Sequence, residues 1–298
     1  MPNWIRVRSF AKINWTLDVL FKREDDYHEI RTIYQTISLH DRIRLTRTRG
    51  QIEILTDNPS APSDESNLAY KAASLLRERT GARDGARIEI EKRIPVAAGL
   101  GGGSSNAASA LLGLCKLWRV EISESDLVEI AAGLGSDVPF FLLGGTALGV
   151  GRGEEVYPLE ETRAENLLIA NPGVKVSTAD AYRKLSRLTR QKAARIIPLS
   201  LIAAKGIHEL PLAARNDFEQ IVSAAHPEIA QLRRRLLELG ASSAVMSGSG
   251  ATMVGVFDNT KSCERAQAAL SLSGLWAERA SAISREQYRN TLFESESS

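Results

Sequence analysis

Cysteine is nearly absent: Cys115 and Cys263 are the two in 298 residues, and they stand far apart in the chain. A disulfide framework is thereby excluded, and the count suits a reducing compartment. A dominant charge is lacking too. The 38 Lys and Arg against 36 Asp and Glu leave a net +2, too little for a general attraction to nucleic acid or to an anionic membrane. No apolar run approaches the roughly 20 residues that cross a bilayer, and the opening MPNWIRVRSF has no apolar signal core. Repeats and low-complexity tracts are missing as well. The expectation is a cytoplasmic globular protein, whose 43% hydrophobic content supplies core for one large domain or two ordinary ones.

Strand patterns come first. WIRVRSF (4–10) and KINWTLDVL (12–20) alternate, the second placing Ile13, Trp15, Leu17 and Val19 on one face and Lys12, Asn14, Thr16 and Asp18 on the other. RIRLTRT (42–48), QIEIL (51–55) and ARIEIEK (86–92) continue as strands, whereas NLAYKAASLLRERTG (67–81) has helical spacing and stops at a glycine. SESD (123–126) offers a cap and an acidic first turn to the helix that follows. TALGVGRGEEV (146–156) reads as strand and turn, LLIANPG (167–173) as a buried strand, and STADAYRKL (177–185) as a helix. Residues 191–240 read as mostly helical, broken at Pro198, Pro211 and Pro227; SSAVMSGSGATMVGVF (242–257) then gives strand, glycine-rich hinge and strand. Strands and helices mix without βαβ regularity, which favours an α+β fold. An inter-domain join is expected near 149–153, and the polar tail FESESS is expected to fray.

Gly99-Leu100-Gly101-Gly102-Gly103-Ser104-Ser105 lies between a strand and an alanine- and leucine-rich helix. That layout suits an anion: first-turn N–H groups point into the loop, the helix dipole adds positive potential, and glycines admit phosphate oxygens to the backbone. The Walker pattern fails for want of a lysine before the serines, and the dinucleotide fingerprint fails at Ser104. A tight turn with closely packed glycines stays open as the plainer reading. The paired serines suit both a helix cap and a metal ligand. Met246–Thr252 is a second glycine element, again with bare backbone or else a relaxed hairpin. Asp137 stands in an apolar stretch, GSDVPFF, and wants a cationic partner if buried; Lys12 is one candidate, a helix cap or a structural ion pair the alternative.

These elements together resemble the GHMP kinase superfamily: PVAAGLGGGSSNAASALLGL is similar to its phosphate loop and SGSGATMVGVF to its C-terminal glycine motif. FAKINWTLDVL, DYHEIRTIYQTISLHD, KRIPVAAGLGGGSSNAA, GSDVPFFLLGG and GVGRGEE, in this order, resemble the branch that phosphorylates a cytidine-diphospho sugar alcohol on its 2-hydroxyl, and the likeness runs from about Ser9 to Phe257. The resemblance implies a two-lobed α+β fold. A ribosomal-protein-S5-like N-lobe would span 1–152 and a ferredoxin-like C-lobe 153–298, with the site between them. ATP and Mg²⁺ are the implied cofactors, the partner is a small-molecule substrate with no nucleic acid or membrane, and the state is a monomer or weak homodimer.

Carried over by position, Asp137 would be the catalytic aspartate and Lys12 its partner lysine. Pro95, Ala98, Gly99, Leu100, Gly101, Gly102, Gly103, Ser104, Ser105 and Asn106 would hold the nucleotide phosphates, with Ser104 or Ser105 on the metal. Asn67, Leu68 and Lys92 fall at the adenosine pocket. On the substrate side, Asn14 would orient the hydroxyl, Tyr27, His28 and Tyr182 the cytosine, and Thr178, Gly248 and Ser249 would complete the surface. Asp26 departs from the glycine usual before Tyr-His; if that position needs a positive φ, aspartate tolerates it better than most residues. Trp15 and Thr16 also replace more usual residues. Two alternatives are another GHMP small-molecule kinase, against which the Tyr27–His28 pair argues, and a non-catalytic sensor, against which the Asp137–Lys12 pair argues.

Overall fold

Residues 3–189 and 209–294 are described by the computed structural model. Strand β1 (Trp4–Lys22) pairs antiparallel with β2 (His28–Thr48), with register shifts at Phe10/Lys12, Asn14/Thr16 and Val19/Phe21. Such bulges insert a residue, bend the strand and re-aim the side chains beside it. The resulting register sets Lys12 opposite Thr36 and Asn14 opposite Tyr34. With β3 (Ile52–Thr56), β4 (Gly85–Glu91) and β8 (Arg215–Asn216) the first sheet runs β3-β4-β2-β1-β8, and the hairpin of β5 (Thr146–Val150) and β6 (Glu155–Pro158) joins through β2. The second sheet, β11-β7-β10-β9, contains β7 (Leu167–Asn171), β9 (Ser243–Met246), β10 (Met253–Val256) and β11 (Trp276–Ala280).

Helices α1 (Leu68–Thr80), α2 (Gly102–Trp118) and α3 (Glu124–Leu134) cover one face of the first sheet and share a core with it. The one-turn α4 (Phe140–Leu143) follows α3. Outside the second sheet lie α5 (Thr178–Thr189), α6 (Phe218–Ala225), α7 (Pro227–Glu238) and α8 (Thr260–Leu272). Between the sheets a third core joins Ile13, Trp15, Ile33 and Ile37 to Leu167, Ile169, Val245 and Val254, all fully buried. This explains why residues 9–17 of β1 are buried without a break. The alternation in the sequence is real, but its polar face is covered as well as its apolar one.

The α+β class is observed, as are the strands and the helix breaks at Gly81 and Pro227. The helical reading of 191–208, with Pro198, lies outside the described residues, as do the tail residues 295–298. The strand at 28–41 is missed by sequence reading; its pairing with β1 is broken by three register shifts, one with the extra residues on β2 and two with the extra residue on β1. Residues 152 and 153 lie in the turn of the β5–β6 hairpin; β7, the next strand, belongs to the second sheet, and β8 returns to the first. Among the described residues no helix is long and apolar enough to cross a membrane.

Helix α9 (Arg285–Thr291) returns to the first sheet, where Arg8 N donates to Leu292 O (2.8 Å) and Val7 bridges Phe293. Its Tyr288 is fully buried and donates its hydroxyl to the carbonyl of Phe141, just beyond the Asp137 turn. Truncation of such a ring leaves a cavity, so Tyr288→Ala is expected to cost about 3–5 kcal/mol. Tyr288→Phe, which only orphans a carbonyl, is expected to cost about 1 kcal/mol. Equilibrium urea unfolding measures both; a loss near zero for the alanine variant would mean that the C-terminal helix does not support the turn.

Candidate active site

Lys12 follows the first register shift, where β2 carries the extra residues, and its side chain lies in the interior, 3% exposed. A buried ammonium is tolerated only with partners. Lys12 Nζ donates to Asn14 Oδ1 (2.7 Å), lies 3.3 Å from Asp137 Oδ2 and faces the Tyr34 ring at 5.4 Å. Asp137 occupies the 135–139 turn between α3 and α4, so the two partners meet only in the folded chain. Its other oxygen, Oδ1, accepts from the Tyr34 hydroxyl at 2.9 Å. Burial, and secondly the negative charge of Asp137, push the Tyr34 phenol well above its ordinary pKa. Tyr34 is therefore a permanent donor that fixes one carboxylate oxygen while Lys12 neutralises the other. Asp137 keeps a partly exposed edge toward the cleft.

The Gly99–Ser105 loop sits directly on this pair. Lys12 N donates to Leu100 O (3.0 Å), tying strand to loop. Gly101 (φ 68°) opens α2, and no side chain caps the first turn, which leaves its N–H groups to a ligand. A Cβ on Gly101 would come within 2.8 Å of the Phe141 ring and 3.0 Å of Lys12 Cγ. Bare backbone is thus needed at Gly101 for what lies beneath the loop.

The second glycine element packs against the first. Ser247 Oγ donates to Gly99 O (3.0 Å), and a Cβ on Gly99 (φ +78°) would lie 2.3 Å from Ser247 O. Gly248 N donates to Asn14 Oδ1 (3.0 Å), so that N–H serves the protein rather than standing open. Asn14 Nδ2 also donates to Thr32 Oγ1 (2.6 Å), so the side chain ties Lys12 to the second loop and to β2. Asn14, which sequence reading assigned to the substrate hydroxyl, lines the cleft described next and keeps a second Nδ2 hydrogen beyond these bonds.

A cleft of about 1160 Å³ runs from Gly99, Gly101, Ser104 and Asp137 to Tyr27, His28 and Tyr182. His28 and Tyr182 stack with centroids 5.0 Å apart, Tyr182 meets Phe218 edge-on at 4.7 Å, and the Arg152 guanidinium lies 4.7 Å over the Tyr27 ring. Burial, then the charge of Lys22, lowers the His28 pKa, so the imidazole is neutral at pH 7. Thr178 Oγ1 and Ser249 Oγ hydrogen-bond (2.7 Å) on the same wall. Asp26 has φ 65°, the conformation that glycine would favour, and pairs with Lys22.

Other sequence candidates lie off the cleft. Ser105 is fully buried and its hydroxyl accepts from Ser9 (2.8 Å), leaving Ser104 as the serine that faces the cleft. Ala98 and Leu100 are buried beneath the loop, half-buried Pro95 begins it, and Gly102 and Gly103 form the first helical turn. Asn67 caps α1, accepting from Ala69 N (2.9 Å), and Leu68 packs on the core. Lys92 and Asn106 turn inward to Asp41. Tyr34, Arg152 and Phe21 line the cleft but escaped sequence reading. Only the register of β2 against β1 places Tyr34 beside Lys12, and no motif carries that. Alanine at Gly99 must strain a positive φ and push apart two backbones. Gly99→Ala is expected to lower stability by about 1–3 kcal/mol, read by urea unfolding; an unchanged midpoint would deny the loop–loop contact.

Profiles of the GHMP kinases N terminal domain and the GHMP kinases C terminal match residues 67–145 and 200–274. The 4-diphosphocytidyl-2-C-methyl-D-erythritol kinase of Bacillus cytotoxicus is 43% identical over 252 residues, 84% of this chain and 87% of that protein. Its counterpart in Alkaliphilus metalliredigens is 42% identical over 259 residues, covering 86% and 88%. A crystal structure of 4-(cytidine 5'-diphospho)-2C-methyl-D-erythritol kinase aligns with TM-score 0.77 at 36% identity, over 94% of this chain and 100% of that one. The homoserine kinase of Cytophaga hutchinsonii, at TM-score 0.68 and 19% identity over 95% and 96%, shares the fold. On that identity and coverage, with both halves of the fold matched, the chain belongs to the GHMP kinase family.

Proposed function

We propose that this protein transfers the γ-phosphoryl group of ATP to the 2-hydroxyl of 4-diphosphocytidyl-2-C-methyl-D-erythritol, giving the 2-phosphate and ADP in non-mevalonate isoprenoid precursor synthesis. The observation that carries the reading is one cleft with the Lys12–Asp137 pair beside a phosphate loop at one end and three aromatic rings at the other. Relatives bearing that enzyme's name support the choice of substrate. A cytosine suits a ring-lined pocket, where flat faces give affinity and edge hydrogen bonds give specificity.

The chemistry asks for position and charge more than covalent help, because the phosphoryl group passes through a loose transition state. Asp137 would accept the proton of the attacking hydroxyl, one oxygen steadied by Tyr34. Lys12 lies 3.3 Å from that carboxylate and would offset charge on the developing alkoxide. The uncapped first turn of α2 takes the phosphate oxygens. Mg²⁺, when bound, would neutralise the phosphates. The Ser104 hydroxyl is a hard oxygen donor in the right place, and the described residues contain no cluster of three or more acidic, His or Cys ligands, so the nucleotide's own oxygens would complete the set.

Purified protein with ATP and Mg²⁺ is expected to form ADP with the cytidyl substrate and not with mevalonate or homoserine; the reverse pattern would sink the reading. Asp137→Asn is expected to abolish turnover while ATP still binds calorimetrically, and an active variant would remove Asp137 from the base role. Tyr34→Phe deletes one hydrogen bond to a charged group and is expected to lower kcat about tenfold with KM little changed. A rise in KM alone would instead make Tyr34 a binding residue.

A further inference from the structure

Beneath the phosphate loop, away from the cleft, lies a polar cluster that the chemistry above does not use. Asp41 of β2 is fully buried. Its Oδ1 accepts from the backbone N–H groups of Arg93 and Ile94, both at 2.8 Å. Its Oδ2 accepts from Asn106 Nδ2 (2.9 Å) and forms an ion pair with Lys92. Lys92 Nζ also donates to Asn106 Oδ1 (3.2 Å), and Asn106 Nδ2 to Ser9 Oγ (2.8 Å), whose hydroxyl in turn donates to Ser105. One carboxylate therefore grips the segment that enters the loop and, through Asn106, the helix that leaves it.

A buried ion pair is a poor device for stability alone, since well-packed apolar residues of the same volume do as well. What it fixes here is geometry. Between the two gripped shoulders the chain holds Ala97 at φ 55°, Gly99 at φ 78° and Gly101 at φ 68°. The glycines take a positive φ freely, but Ala97 holds it only because its surroundings impose it. We propose that Asp41 is a positioning residue for nucleotide: it holds both shoulders of the loop in the phosphate-binding shape without touching ligand. This rests on the reading that ATP binds at the loop.

The test is titration calorimetry with ATP and, separately, with CDP, which probes the aromatic end of the cleft. Asp41→Asn leaves the Lys92 ammonium unpaired and risks unfolding, so the charge-neutral pair Asp41→Asn/Lys92→Met is measured beside it. The expected result is a folded double variant whose Kd for ATP rises about tenfold or more, with CDP affinity unchanged and KM for ATP raised without a rise in KM for the cytidyl substrate. Unchanged ATP binding in that variant overturns the proposal, and so does an equal loss of both ligands, which marks a merely structural role. A native protein that binds CDP but not ATP would overturn the nucleotide reading itself, and this proposal with it.

Discussion

Everything at the centre of this molecule follows from burying one ammonium. Lys12 cannot lie 3% exposed without acceptors around it, and each one is drawn from a different part of the chain. Asn14 comes from the same strand, Asp137 from the turn after α3, and the Tyr34 ring from β2. The bare Cα of Gly101 leaves room for the Lys12 stem. Loop, strand and turn are thus mutually fixed, and the site cannot be partly assembled.

The two glycine elements obey a second constraint. Each was legible as a place where bare backbone is required, but the purpose was only half visible. Gly99 and Gly248 are bare partly for each other, with Ser247 bonded to Gly99 and Gly248 to Asn14. The same holds for the sheets, which close on a common core through Trp15 and Val254. The cleft takes one wall from the first sheet with its glycine loop and the other from α5, α6 and the Gly248–Ser249 loop.

Sequence reading went far with local signals and failed with long-range ones. The Lys12–Asp137 pair was legible because a carboxylate in an apolar stretch needs a cation, and the strand alternation displayed one. Tyr34 and Asp41 were not, because their roles depend on which residues β2 sets beside them, and bulges hide that register. Asn67 and Lys92 were placed at the adenosine pocket by resemblance alone. In the structure the Asn67 side chain caps α1 and the Lys92 ammonium pairs with Asp41, a partner far away in sequence that no local signal marks. The Asp26 departure was correctly located at a positive φ.

The return of α9 to the first sheet joins segments that lie far apart in the chain. The edge of Trp4–Lys22 is closed by Leu292 and Phe293, and the turn carrying Asp137 is propped by Tyr288. The strand that holds Lys12 and the turn that holds Asp137 therefore gain their last support only when residues 285–293 dock. A cut just before Arg285 would leave Lys12, Asp137 and both glycine elements in the polypeptide and remove the piece that braces them.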